Sequence, residues 1–260
     1  MDEVAVITGA SAGLGVHFAH ALAAEGHAVL LIARRGDRLD ALAAEIRARH
    51  GVRAESFPFD LSRRDAPAAV VAALAERGMT ANLLINNAGF GASGPFIDVP
   101  VDRQQEMIDL NCTTLVGLCH ALLPPMIARG RGGILNVAST AAFQPGPWMS
   151  IYFASKAFVL SFSEALHEEV KAKGVRVSAL CPGPTRSEFG VVAGTGDTQT
   201  GTRRAAAPEG VIRAGMDALN ANRAVKITGF MNGVMAQSIR FLPRGVARRA
   251  AGAMFKRLTR

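Results

Sequence analysis

The chain has a single tyrosine, Tyr152, and a single tryptophan, Trp148, among its 260 residues. Any chemistry that needs a phenol must use that one side chain. Cysteine is almost as scarce. Cys112, Cys119 and Cys181 make no C-x-x-C pair and no metal-like spacing with histidine. They read as free thiols in a reducing compartment, with no metal site and no disulfide framework. No apolar run reaches the ~18–20 residues of a membrane span, and no signal-peptide pattern precedes the first apolar segment, so a cytoplasmic location is expected. Acidic residues are missing from 234–260, where Arg240, Arg244, Arg248, Arg249, Lys256, Arg257 and Arg260 supply seven of the net +8 charges. The remainder is nearly neutral, which argues against a nucleic-acid-binding body.

What is present is ordinary for a globular protein with a substantial core: 49% of residues are hydrophobic. Short apolar runs at 4–8, 28–33, 52–58, 83–86, 134–138, 175–180 and 225–228 predict strands. Helical stretches near 14–26, 37–50, 64–77, 103–129, 152–174 and 208–222 lie between them. The alternation, without linker composition or internal repeat, predicts one α/β domain with a doubly wound, mostly parallel sheet. The catalytic domain is expected over 1–230. It includes a loop near 184–207, rich in Gly, Thr and Ala, that reads as a mobile flap or a disordered loop. Residues 231–260 form a basic amphipathic extension.

The first strand runs directly into Gly9-Ala10-Ser11-Ala12-Gly13-Leu14-Gly15 and then a helix. Glycines there let the backbone approach a pyrophosphate, and the helix N-terminus offers free N–H groups. The second strand ends at Arg34-Arg35, where an acid would bind the ribose 2′-hydroxyl of NAD and an arginine accommodates the 2′-phosphate of NADP. Asp37 is the neighbour that opposes this NADP reading, although an acid also suits the first turn of a helix. Asp60-Leu61 ends the third strand; Asp60 either meets an adenine amino group or caps the next helix. Asn86-Asn87-Ala88-Gly89 ends the fourth, and Cys181-Pro182-Gly183-Pro184-Thr185 ends the sixth. Asn111, set among apolar neighbours, needs a hydrogen-bond partner: it holds a water or braces a carbonyl. Ser139 ends the fifth strand, and ligands bind at such carboxyl ends. Tyr152 and Lys156 follow at the i, i+4 spacing that shares one helical face. An ammonium within roughly 4–6 Å lowers a phenol's pKa of ~10 by about 1–3 units, which would make Tyr152 a usable acid/base.

These motifs, in this order across residues 4–230, closely resemble the short-chain dehydrogenase/reductase family. The resemblance implies a Rossmann-type sheet of seven strands and an NADP(H)-dependent oxidoreductase interconverting a carbonyl and a secondary alcohol. It implies Tyr152 as general acid/base and Lys156 as the group that binds the nicotinamide ribose and lowers the tyrosine pKa. Ser139 would hydrogen-bond the substrate oxygen, Asn111 would hold a relay water, Asp60 would contact adenine, and Thr185 would lie near the nicotinamide amide. Family members commonly form dimers and tetramers through helices near 103–129 and 152–173, so a homo-oligomer is expected.

Loop residues beside the site, Phe90, Phe96, Ala141, Phe143, Gln144, Trp148, Met149 and Phe189, suggest an apolar substrate such as an aromatic ketone, a steroid or an acyl chain. Reduction of a 3-oxoacyl thioester is the alternative. A non-catalytic NADP-binding protein is disfavoured by the presence of all four catalytic candidates. The tail interleaves Ile239, Phe241, Leu242, Val246, Met254, Phe255 and Leu258 with arginines. Subunit packing or self-docking is favoured for it over contact with an anionic membrane surface.

Overall fold

In the computed structural model of the chain, which describes residues 1–194 and 205–255, the apolar runs become strands. They are β1 (Asp2–Thr8), β2 (Ala28–Ala33), β3 (Ala54–Pro58), β4 (Met79–Asn86), β5 (Gly132–Val137), β6 (Val175–Cys181) and β7 (Val225–Ile227). All pair in parallel in one sheet of order β3-β2-β1-β4-β5-β6-β7. Parallel strands need crossover connections, supplied here by α1 (Leu14–Ala24), α2 (Gly36–His50), α3 (Ala66–Glu76), α6 (Ser150–Val170) and α8 (Pro208–Asn220), among others.

Helices on both faces explain why the strands are apolar throughout rather than alternating. Successive side chains still part to opposite faces. Val4, Val6, Leu30 and Ile32 join a core with residues of α3 and α6. Ala5, Ile7, Val29 and Leu31 join Phe18 and Leu22 of α1, Ile46 of α2 and Leu219 of α8. Each of the larger of these side chains, Val, Leu, Ile or Phe, contributes about 1.5–3 kcal/mol when fully buried.

The stretch expected as one long helix is three pieces: α4 (Val101–Ile108), a π-helical turn at Asp109–Thr114, and α5 (Leu115–Ala128). Val101–Ala128 is, by length and composition, apolar enough to cross a membrane, contrary to expectation. Part of its apolar surface is core, with Leu115, Leu118, Leu122 and Met126 buried, while Val101 and Ile108 are exposed. The predicted flap is anchored at its base by pairing of Thr185 with Ala206 and carries a short helix, α7 (Phe189–Val192). Its residues 195–204 lie outside the described residues, as do the tail's Lys256, Arg257, Leu258 and Arg260 and the side chains of Arg240, Met254 and Phe255. The tail forms α9 (Phe230–Ser238) and α10 (Arg244–Phe255).

Gly15 fixes where α1 leaves the first strand. A Cβ there would stand 2.2 Å from the Gly9 carbonyl oxygen and 2.8 Å from Ala10 Cα, both backbone atoms with nowhere to move. Gly15→Ala is expected to destabilise the fold by about 2–3 kcal/mol, seen as a loss of roughly 5–10 °C in Tm. An unchanged melt would show that the turn relaxes freely.

Candidate active site

Strand order reverses between β1 and β4, and a crevice opens at the carboxyl ends of the strands. It forms a cleft of about 1270 Å³. Thr8 organises its floor. The Thr8 hydroxyl donates to the Ile85 carbonyl at 3.2 Å and accepts from the Asn87 and Ala88 amides at 3.0 and 2.9 Å. Asn87 Nδ2 donates to the carbonyls of Thr8 and Gly9 at 2.9 and 3.2 Å. Gly9 sits at φ 66°, and a Cβ on it would lie 2.9 Å from Ala88 Cα, so this turn and the Asn-Asn-Ala-Gly segment close on each other.

Gly9, Ser11, Ala12, Gly13 and Leu14 line the cleft together with Arg34, Arg35, Asp60 and Leu61, and with Asn87, Ala88 and Gly89 packed against the turn. Gly15 is buried behind them as the close approach to Gly9 described above. Arg35 is held on the turn, Nε donating to Ser11 Oγ at 3.1 Å and Nη2 to the Ser11 carbonyl at 3.3 Å. Arg34 pairs with Glu106 of α4 at 3.1 Å. Asp60 does not cap α3. Its Oδ1 accepts from Ser62 N and Oγ at 3.0 and 2.8 Å. Partial burial would raise the Asp60 carboxyl, but those hydrogen bonds and the charges of Arg34 and Arg63 hold it below its ordinary value. A glycine turn at a helix N-terminus, with a cationic edge where the second strand ends, fits a dinucleotide carrying an extra phosphate.

Ser139, Tyr152 and Lys156 meet in the same cleft. Tyr152 and Lys156 both project from α6, the amine 5.9 Å from the phenol ring centroid. Ser139 Oγ accepts from the Ala141 amide at 3.1 Å, and its side chain is close enough to the phenol to favour the phenolate. The expected lowering of the phenol by the amine is not what the structure shows. Burial pushes Tyr152 up to about 12, opposed only by Ser139. Lys156 is buried with its amine donating to the Val137 carbonyl at 2.8 Å, and burial brings its pKa down to about 8. Desolvation outweighs the attraction that helical spacing alone suggested.

Asn111 lies in the π-helical turn and is 1% exposed. Its Oδ1 accepts from Phe90 N at 3.1 Å, while Nδ2 donates to the Phe90 carbonyl and to Ser155 Oγ at 3.0 Å each. The side chain braces the Phe90 loop against α6 and does not line the cleft. A Cβ on Gly89 would meet Asn111 Oδ1 at 2.9 Å and Lys156 Nζ at 3.5 Å, which accounts for glycine there.

Of the expected substrate-pocket residues, Phe90, Ala141, Gln144, Met149 and Phe189 line the cleft. Phe189 lies 5.1 Å from Tyr152, ring to ring. Three do not. Phe96 is 61% exposed on the surface. Phe143 packs against the sheet core. Trp148 packs against the small cluster that holds Met149 and Phe153 and is not among the residues lining the cleft, with its backbone at φ 64°, costly for a bulky side chain. In their place stand Phe153, Val192, Asn232 and Met235, which the sequence did not single out, and Ile239, which it assigned only to the tail. Pro182, Gly183 and Thr185 also line the cleft. Thr185 Oγ1 donates to the Gly183 carbonyl at 2.9 Å, and a Cβ on Gly183 would strike Asn232 Nδ2 at 2.2 Å. The tail is therefore part of the cleft wall rather than an appendage beyond residue 230. Its signal was the apolar spacing of Met235 and Ile239, i and i+4, which does not say what that face packs against.

The pattern of the short chain dehydrogenase family matches residues 3–195. The very-long-chain 3-oxoacyl-CoA reductase of Bos taurus is 37% identical over 186 residues, 70% of this chain and 59% of that protein, so the chain spans less than two thirds of its length. Sulfoacetaldehyde reductase of Chromohalobacter salexigens is 42% identical over 200 residues, 76% of this chain and 78% of that protein. Among solved structures, a short-chain dehydrogenase from Sphingobium yanoikuyae in complex with NADPH superposes with TM-score 0.81 at 33% identity, covering 94% of this chain and 97% of that one. A 7β-hydroxysteroid dehydrogenase gives 0.86 at 27% identity, covering 96% of each. Matched over most of its length, with relatives at these identities, the chain belongs to the short-chain dehydrogenase family.

Proposed function

We propose that the chain is an NADP(H)-dependent oxidoreductase that interconverts a bulky, uncharged ketone and its secondary alcohol. One observation carries the substrate class. Every charged side chain lining the cleft among the described residues is at the dinucleotide end or is Lys156, while Phe153, Phe189, Val192, Met235 and Ile239 wall the other end. The Chromohalobacter relative is named for an anionic substrate, sulfoacetaldehyde; here no described cation faces that position. The steroid dehydrogenase, whose fold superposes well, is named for a bulky apolar one. Reduction of a 3-oxoacyl thioester is the second reading, favoured by the bovine relative's name.

When bound, NADPH supplies the hydride. The protein supplies position and a proton. The Ser139 hydroxyl donates to the substrate carbonyl oxygen, and the Tyr152 phenol delivers its proton there as charge develops. Lys156 would hold the nicotinamide ribose, and Arg35 the 2′-phosphate. A phenol pushed up to about 12 keeps its proton at neutral pH, the state that carbonyl reduction requires. Alcohol oxidation needs the phenolate, so its rate is expected to climb with pH.

NADPH oxidation across bulky aryl ketones, steroid ketones, 3-oxoacyl thioesters and sulfoacetaldehyde tests the reading. Turnover confined to sulfoacetaldehyde would overturn it. Arg35→Asp is expected to weaken NADPH binding by about 10–100-fold, from loss of charge-assisted hydrogen bonds, and to shift preference towards NADH. Unchanged cofactor kinetics would remove Arg35 from the phosphate site. A homodimer or homotetramer is proposed too, supported by exposed Ile108 on α4 and Phe158 on α6.

A further inference from the structure

We propose that Glu188 is a resident anion in the 2′-phosphate site, and that its displacement couples cofactor choice to the substrate wall. The inference rests on the NADP reading above. Glu188 immediately precedes α7, and its carboxylate is shared between two guanidinium groups. Oε2 accepts from Arg35 Nη1 at 3.1 Å and Oε1 from Arg38 Nη1 at 2.9 Å. Arg35 is tied to Ser11 of the glycine turn at the same time. An anion bridging two arginines beside the first strand–helix turn occupies the position expected for a phosphate on the adenosine ribose, since the guanidinium fork accepts carboxylate and phosphate alike. Arg38 is then a second phosphate ligand, three residues from Arg35 and level with it at the start of α2. The loop also presses on the turn: a Cβ on Gly13 would lie 3.2 Å from Ser187 Cβ.

A phosphate and a carboxylate cannot share this pair without strong like-charge repulsion, so entry of the 2′-phosphate expels Glu188. The next residue is Phe189, whose ring packs on Tyr152. Ala193, at the end of the same short helix, is held by Ser93 N at 2.9 Å. Releasing Glu188 frees one of the two ends by which α7 is held, and with it the wall of the substrate cavity. A dinucleotide lacking the 2′-phosphate leaves the latch closed.

The test compares 2′,5′-ADP with 5′-AMP, fragments with and without the 2′-phosphate. Binding is measured by calorimetry to wild type, Glu188→Gln and Arg38→Gln, and amide exchange is followed over 189–192. Because the ion pairs are half-exposed, the effect is modest: Glu188→Gln is expected to bind 2′,5′-ADP about three- to tenfold more tightly, with 5′-AMP changed by less than about twofold. Arg38→Gln should bind 2′,5′-ADP more weakly by a similar factor. Exchange over 189–192 should quicken when 2′,5′-ADP is added to wild type and be fast from the outset in Glu188→Gln. A Glu188→Gln protein that prefers 2′,5′-ADP but binds it no more tightly than wild type overturns the competition. Exchange indifferent to 2′,5′-ADP overturns the coupling. No preference for 2′,5′-ADP over 5′-AMP in any of the three proteins overturns the NADP reading instead.

Discussion

Tyr152→Phe should lower kcat for ketone reduction by about 10²–10⁴-fold, the range that a positioned general acid contributes, while leaving NADPH affinity near that of the wild type. The chain holds one phenol, so no second tyrosine can substitute. Its ring sits between Phe189 at 5.1 Å and Phe153 at 6.0 Å, centroid to centroid. A phenylalanine in its place keeps those contacts and loses only the hydroxyl and its interaction with Ser139. Stability should therefore change little. Rapid-quench turnover with saturating NADPH, beside a fluorescence titration of the cofactor, separates chemistry from binding. A variant that turns over at close to the wild-type rate would remove Tyr152 from the proton step.

The second large effect concerns Lys156, where activity and stability should move in opposite directions. Burial takes the ammonium from the ordinary 10.5 down to about 8. Between those values the unfolded chain holds a proton that the folded chain has released, so wild-type stability rises with pH across that window. Below about pH 8 both states carry the proton, and the full penalty, about 3 kcal/mol, opposes folding. Lys156→Met removes that penalty but leaves the Val137 carbonyl without its donor, a loss of about 1 kcal/mol. The net expectation at pH 7, without cofactor, is a variant more stable by about 2 kcal/mol and melting roughly 4–8 °C higher. The advantage should fade as pH approaches 10. Meanwhile kcat should fall by about 10²–10³-fold, the scale of losing one preorganised donor. A variant that melts lower than wild type at pH 7 would show that the buried amine stabilises the fold and that the burial argument has the wrong sign.

Most of the sheet was readable because parallel strands buried on both faces leave continuous apolar runs: β2 falls on Ala28–Ala33 as expected. The reading failed where periodicity carries no mark. Nothing in a 3.6-residue pattern reveals the wider turn at Asp109–Thr114, and so Asn111 was placed in an ordinary helix. The meeting of Ser139, Tyr152 and Lys156 in one cleft was legible because each stands at a strand end or at helical spacing. Their electrostatics were not, since a spacing fixes distance but not desolvation, and desolvation decides the direction for both Tyr152 and Lys156. Aromatic loop residues misled for a related reason. Phe96 and Trp148 are near the site in sequence, but a loop's facing depends on its own turns, including the positive φ at Trp148. Met235 was not singled out and Ile239 was read only as part of the tail, because the composition of 231–260 marks an extension and nothing in the spacing shows that its start returns to the cleft.

The lodging of Asn232 against Gly183, with Met235 and Ile239 in the wall of the cavity, has a practical corollary. Chain-end trimming would not yield a smaller working catalyst; it would remove one side of the reaction chamber and flood it. Conversely, grafting the closing thirty or so residues of another member onto this body would recast the chamber's shape while leaving Ser139, Tyr152 and Lys156 in place. The shape of the cleft is thus adjustable from the tail, a handle separate from Ser139, Tyr152 and Lys156.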